Sequence, residues 1–212
     1  MSAARLTREQ SRSQTRLRLL DAAEELFAER GFGGTSLEQV AERAGFTRGA
    51  VYWNFEDKTE LFAAVVERRS AARVEIVQAL AGAQRRDQSL LDALRSNDAD
   101  APEDATRWHL LAIEELAQAL RIPEERKRVA QRERRINEAM GDVAASVYKQ
   151  RGGEPPFSRE QLGAVIHALD WGLRMQHLLN PKRIPTALFY DVLSLLLRST
   201  SEGQDPDPVS TP

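Results

Sequence analysis

Apolar side chains recur at three- and four-residue intervals along almost the whole chain, and no stretch of any length shows the two-residue alternation of a strand. Leu19, Ala22, Ala23, Leu26 and Phe27 stand at i, i+3, i+4, i+7 and i+8, one face of a helix that Gly31 and the Gly33–Gly34 pair stop. Thr35 and Glu38 read as a T-x-x-E capping box for a second helix, which ends at Gly45. Thr47 suits the N-cap of a short third helix. Asp57 and Glu60 read as a second box, opening a long fourth helix from Lys58. Helical spacing resumes over Trp108–Leu120, Glu124–Gln150, Arg159–Leu179 and Pro185–Arg198, after a linker "NDADAPED". The periodicity predicts an all-α protein. Residues 1–13 read as a flexible basic arm, 14–67 as a small helical unit, 68–200 as a larger helical bundle and 201–212 as a disordered tail.

Composition removes several function classes. The chain has no cysteine, so disulfides, thiolate metal sites and thiol nucleophiles are excluded. No apolar run approaches the ~18 residues of a membrane span, and the start lacks the apolar segment of a signal peptide. A cytoplasmic protein with no membrane partner is expected. The net charge of −2 argues against a general nucleic-acid coat but leaves room for a small DNA-reading unit, because local charge decides. Arg5, Arg8, Arg12, Arg16 and Arg18 face one acidic residue, Glu9, in that opening stretch. They read as a solvated arm adding weak phosphate contacts. No nucleophile elbow, phosphate loop or H-E-x-x-H occurs, so no enzyme and no cofactor are expected.

Leu37 to Glu56 has the spacing of a helix-turn-helix. Ala41 is small where two helices would cross, Gly45 lies four residues on in the turn, and Val51 lies six beyond that, facing back. From this spacing alone an ordinary pair of short core helices stands equally open. Thr47 to Asn54 is eight residues, about 12 Å of helix, which matches the major groove of B-DNA. Thr47 and Tyr52 bring hydroxyls, Arg48 a fork for guanine or phosphate, and Gly49 close approach. Lys58 and Thr35 are placed for phosphates. Phe55 reads as core beside Leu61 and Phe62. Trp53 either staples the helix to its neighbours or lies against the sugar-phosphate backbone.

The stretch "RLRLLDAAEELFAERGFGGTSLEQVAERAGFTRGAVYWNFEDKTELF" resembles the N-terminal domain of the TetR family of bacterial transcriptional regulators, and "AVYWNFEDKTELF" is similar to multidrug-efflux repressors within it. The resemblance implies an N-terminal three-helix DNA-binding domain followed by a larger ligand-binding and dimerisation bundle. It implies DNA contacts at Thr47, Arg48, Gly49, Tyr52, Trp53 and Asn54, with phosphate contacts at Thr35, Tyr52 and Lys58. Asn54 stands where the family often has histidine. It also implies a ligand-responsive repressor, a homodimer on a palindromic double-stranded operator, and release by a small apolar or amphipathic effector. The alternative is an effector-independent regulator, or a helical adaptor controlled by a protein partner. Candidates for the effector site are Trp108, His109, Leu111, Glu115, Met140, Trp171, Arg174 and Met175.

A homodimer has a second warrant, since one short helix reads too few base pairs for useful specificity. Leu162, Val165, Ile166, Leu169 and Leu173, then Leu188, Phe189, Val192, Leu193 and Leu196, form broad apolar faces suited to a four-helix interface or to intramolecular core. Gly163, His167, Asp170, Arg174 and His177 form a polar stripe expected to border the interface or a cavity. Arg174 repels a cation and the two histidines lie about 15 Å apart along the helix, so no metal is expected. The basic run Arg126 to Asn137 reads as a solvated helix face.

Overall fold

The helical periodicity is realised throughout the computed structural model, which describes residues 8–82, 90–99, 102–150, 153–155 and 157–198. Among these residues the chain forms α1 (Arg8–Arg30), α2 (Leu37–Ala44), α3 (Arg48–Asn54), α4 (Lys58–Gly82), α5 (Leu90–Ala99), α6 (Pro102–Ala119), α7 (Pro123–Gln150), α8 (Arg159–Leu179) and α9 (Ala187–Arg198), and no strand. No helix among them is long and apolar enough to cross a membrane. Two readings of residues 8–13 and of the linker change. The first helix starts at Arg8, inside the stretch read as a flexible arm. Asn97–Ala99 of the "linker" close α5, while Pro102 and Pro123 open α6 and α7, where a missing N–H costs nothing. Residues 1–7 and the tail 201–212 lie outside the described residues.

The chain divides into two compact units. The first takes the residues up to Ala72 together with Glu103–Ala130. Its core is built from the α1 face read in the sequence, Leu19, Ala22, Ala23, Leu26 and Phe27, closed by Leu37, Val40, Ala41, Val51, Phe55, Leu61 and Phe62. Phe27, Phe55 and Phe62 are at most 1% exposed, each worth about 1.5–3 kcal/mol of apolar burial. Leu111 of α6 belongs to the same cluster and Trp108 packs against it. The Glu114 carboxylate, also on α6, accepts the Phe32 amide at 2.7 Å. These contacts place α6 and the start of α7 with the N-terminal unit, where chain order had put them in the bundle.

The second unit takes Arg73–Pro102 and the residues from Gln131 on. Its core joins Leu91, Ala144, Val147, Tyr148, Leu162, Ile166, Phe189, Tyr190, Leu193 and Leu197. The Tyr190 hydroxyl donates to the Leu94 carbonyl at 3.1 Å, tying α9 to α5. α7 and α8 meet backbone to backbone: a Cβ at Gly163 would sit 1.8 Å from the Asn137 carbonyl oxygen, and one at Gly141 2.1 Å from that of Arg159. Ser158 and Gln161 make a reciprocal capping box that starts α8.

The polar stripe of α8 is therefore internal. Gly163, His167, Asp170 and Arg174 are all buried. His167 Nδ1 lies 2.9 Å from Asn137 Oδ1, Arg174 Nε donates to Asp170 Oδ1 at 2.7 Å, and His177 Nδ1 lies 2.7 Å from the Ile184 carbonyl. The expected solvated face of Arg126 to Asn137 also needs one correction. Arg132 is 4% exposed, because its position on α7 turns inward beside Val129 rather than with its basic neighbours. Burial holds the His167 imidazole below its usual pKa, against the pull of Glu133 and Asp170 and with Arg132 and Arg73 adding to the depression. Because the unfolded chain then binds the proton more readily, His167 takes away stability as pH falls below about 6.5. Thermal midpoints of the protein and of His167→Gln, compared between pH 7 and 5.5, should show the flatter dependence in the variant. Equal slopes would remove His167 from the acid response.

Candidate nucleic-acid interface

Two short helices make the candidate surface, and their ends are fixed by specific contacts. Ser36, in extended backbone, is the N-cap of α2. Its hydroxyl accepts the Gln39 amide at 3.2 Å, and the Gln39 side chain returns to the Ser36 amide at 2.9 Å. The box is thus one residue later than the Thr35–Glu38 pair expected from sequence, because Thr35 is already used. Its hydroxyl lies 3.1 Å from the Leu26 carbonyl and 3.0 Å from that of Gly31, and the residue is 3% exposed. α2 ends at Gly45 with φ +72°, a left-handed conformation that suits glycine, while its N–H returns to the Ala41 and Glu42 carbonyls. Thr47 is the N-cap of α3 by its backbone, but its hydroxyl makes no cap bond and stays exposed.

One face of α3 faces inward and the other outward. Val51 is fully buried, and Asn54 is buried with its amide donating to the Ala50 carbonyl at 2.8 Å. Asn54 is thus turned away from the surface on which the resemblance had put it, since its amide caps its own helix. Phe55 is core, as its neighbours suggested. Outward stand Thr47, Arg48, Gly49, Tyr52 and Trp53. Tyr52 is 46% exposed and Trp53 74%, so Trp53 is not the staple of the two readings left open. Arg48 extends across this face: its Nε lies 2.8 Å from Glu38 Oε1 of α2, and its Nη2 donates to the Tyr52 hydroxyl at 3.0 Å.

Lys58 is half-buried and internally engaged. Its Nζ donates to the Phe32 carbonyl at 2.9 Å and the Thr35 carbonyl at 3.1 Å, over the Phe32 ring at 4.2 Å. Thr35, Lys58 and Glu114 together pin the turn between α1 and α2.

Two arginines that read as part of a solvated arm are instead structural supports of this surface. Arg16 donates to the Asn54 carbonyl at 2.7 Å, with its guanidinium 4.1 Å over the Phe55 ring. Arg18 donates to the Ala44 carbonyl at 3.0 Å and covers Phe46. Each puts a cation on the carbonyl end of a short helix, where the backbone dipole favours it. The sequence does hold a signal for Arg16. It lies three residues before Leu19 and seven before Ala23, so its stem shares the apolar face and its head emerges at the rim. Ser36 and Glu38 were likewise not singled out as site residues.

Residues 19–65 match the family model described as bacterial regulatory proteins, tetR family. The chain is 45% identical over 64 residues to the HTH-type transcriptional regulator AcrR of Shigella flexneri, a match covering 30% of this chain and 29% of that protein. Along its length it superposes on SmeT, the repressor of the Stenotrophomonas maltophilia multidrug efflux pump SmeDEF. There the TM-score is 0.62 and the identity 26%, over 93% of this chain and 96% of SmeT. Residues 19–65 thus carry a TetR-type N-terminal domain. Sequence likeness to AcrR spans about 30% of that relative's length, and the full-length likeness rests on structure. A complex of SmeT with triclosan superposes similarly, with a TM-score of 0.63 and 25% identity over 94% of this chain and 98% of that one.

Outside this TetR-type head, the eight effector-site candidates scatter. Trp108, His109, Leu111 and Glu115 lie in the first unit, Leu111 in its core and His109 and Glu115 buried. Trp108 and Leu111 border a polar cleft there with Asp21, Glu24, Arg68 and Arg69. In the second unit Met140 lines an apolar cavity of about 40 Å³ with Arg73, Val77, Leu91, Leu193 and Asp170 among its walls. Arg174 is committed to Asp170, Trp171 stands edge-on to His167, and Met175 is exposed. Choosing polar and aromatic residues favoured side chains that this fold uses as wedges and ion pairs. The cavity wall is largely aliphatic and has the same sequence pattern as core.

Proposed function

We propose that this chain is a DNA-binding transcriptional repressor that grips a palindromic operator as a homodimer and lets go when a small apolar or amphipathic molecule binds its second unit. The observation that carries the reading is the outward face of α3. Thr47, Arg48, Gly49, Tyr52 and Trp53 are exposed on a helix whose other face and C-terminal carbonyl are fixed by Val51, Phe55 and Arg16. A large exposed aromatic pair beside an arginine has no internal purpose, and it suits phosphate and base-edge contact. Thr35 then acts through the turn it holds, while Lys58 gives two of its three N–H donors to that turn and keeps one for a phosphate.

Dimerisation is supported by what α8 and α9 leave uncovered. Val165, Ala168, Gly172, Met175 and Leu179 are exposed at spacings of three, four, three and four, and Leu195 and Leu196 are exposed on α9. That is a seam for helix packing. Four residues of the broad apolar faces, Leu162, Ile166, Phe189 and Leu193, are consumed in the intramolecular core, and Leu169 and Leu173 pack against it. An effector site is supported by the apolar cavity and by the SmeT–triclosan complex among the structural relatives. At about 40 Å³ the cavity is far below the ~300 Å³ or more of a typical ligand pocket, so a ligand must widen it. α4 carries Lys58 in the first unit and Arg73 and Val77 on the cavity wall, the covalent link for such a response. A cytoplasmic location accords with this role.

Selection of bound DNA from a random pool should converge on a palindrome. Affinity for it should fall on the order of a thousandfold between 50 and 200 mM salt if six or more phosphates are neutralised. A pool that never converges, or binding indifferent to salt, would sink the reading.

A further inference from the structure

We propose that Glu38, on α2, is the positioning residue that sets which base the Arg48 fork reads and limits binding to other DNA. The inference rests on the DNA-reading role of α3.

Three observations bear on it. Glu38 Oε1 holds Arg48 Nε at 2.8 Å, although both side chains are more than half exposed. Tyr52 holds the same guanidinium from another side, its hydroxyl accepting Nη2 at 3.0 Å and its ring centroid 5.2 Å from Cζ. The Glu38 carboxylate is held below the usual carboxylate range by its own backbone amide, then by the Ser36 hydroxyl, with Arg48 adding to the effect.

An exposed arginine normally samples many rotamers, and fixing one costs conformational entropy on binding. Here the cost is met before DNA arrives. Of the five N–H donors of the guanidinium, one is given to Tyr52, while Glu38 holds the group as an ion pair, so at least three are left. Three suffice for a bidentate contact with the O6 and N7 of guanine. A carboxylate at this surface also repels phosphate, so it weakens every complex that the arginine contact does not offset. Glu38 thus exchanges general affinity for discrimination at one base pair per half-site. A surface ion pair of this kind contributes little to folding, which separates its role from a structural one.

The test runs random-pool selection and equilibrium binding in parallel on the full chain, on Glu38→Ala, on Arg48→Ala and on the double variant. The unmodified chain must first yield a palindrome; if it does not, the DNA-reading function itself fails and Glu38 is not at issue. Given that palindrome, Glu38→Ala is expected to relax one symmetry-related pair of positions, the same pair that Arg48→Ala relaxes. It should cut discrimination there about fivefold or more and tighten binding to unrelated DNA. The double variant should discriminate no worse than Arg48→Ala alone, and thermal midpoints should be unchanged. An unaltered motif for Glu38→Ala, relaxation at a different position from Arg48→Ala, or losses that add in the double variant would each overturn the proposal.

Discussion

Gly163→Ala is expected to lower the thermal midpoint of the protein by about 10 °C. Overpacking a tight site costs about 1–3 kcal/mol, and the upper end applies where the obstacle cannot move aside. Here the obstacle is backbone. A Cβ on Gly163 would lie 1.8 Å from the Asn137 carbonyl oxygen, 2.6 Å from its carbon and 3.0 Å from the Gly141 nitrogen. Relief requires α7 and α8 to part, which loosens Leu162 and Ile166 in the core and separates His167 from Asn137. About 3 kcal/mol shifts the midpoint of a domain near 100 residues by more than 10 °C, and by less if the whole chain unfolds together. Gly172, nine residues on in the same helix, gives the comparison: nothing lies within 4 Å of an added Cβ. Within one copy Gly172→Ala should gain up to about 1 kcal/mol of helix propensity, a gain that close packing of a second copy on the proposed seam would offset or reverse. A loss at Gly172 would mean that a second copy packs on this exposed face. An unchanged midpoint for Gly163→Ala would mean that the α7–α8 approach is looser than described.

How much of this was legible depends on whether a residue's role is local. The α1 face, the Ala41–Gly45–Val51 geometry and the burial of Phe55 follow from periodicity and turn chemistry, and the structure reproduces each. Thr35 was misread because two adjacent hydroxyls, Thr35 and Ser36, both suit an N-cap. Which one turns inward depends on the Leu26 and Gly31 carbonyls, a tertiary fact. Arg16 and Arg18 were read by their charge, yet their heads meet helix ends 38 and 26 residues away. The grouping of α6 with the head is set by Leu111 and Glu114, whose partners lie far back in the chain. The cavity wall was the least legible, since an aliphatic lining and an aliphatic core share one pattern.

Tyr52→Ala is expected to weaken operator binding by at least about a hundredfold while leaving the fold and the oligomeric state intact. The side chain is 46% exposed, and the hydrogen bond recorded for it is the one accepted from Arg48. No core contact is lost, so stability should change by no more than about 0.5 kcal/mol, as for other surface positions. Two losses fall on DNA binding instead. The phenol hydroxyl is removed from the phosphate side, and Arg48 loses the ring and hydroxyl that hold its guanidinium on one flank. A hydrogen bond to a charged partner is worth about 1.5–3 kcal/mol, and a two-fold dimer loses it twice. Three kcal/mol is already about a hundredfold. Tyr52→Phe keeps the ring under Arg48 and should fall between the two. Val51→Ala, at a fully buried neighbour, should by contrast lose binding and thermal stability together. Fluorescence anisotropy on the selected operator, with size measurement and thermal melts of the same samples, separates these outcomes. If Tyr52→Ala binds as tightly as the unmodified chain, Tyr52 is not a DNA contact and the outward face of α3 must be read again from Thr47, Arg48 and Trp53.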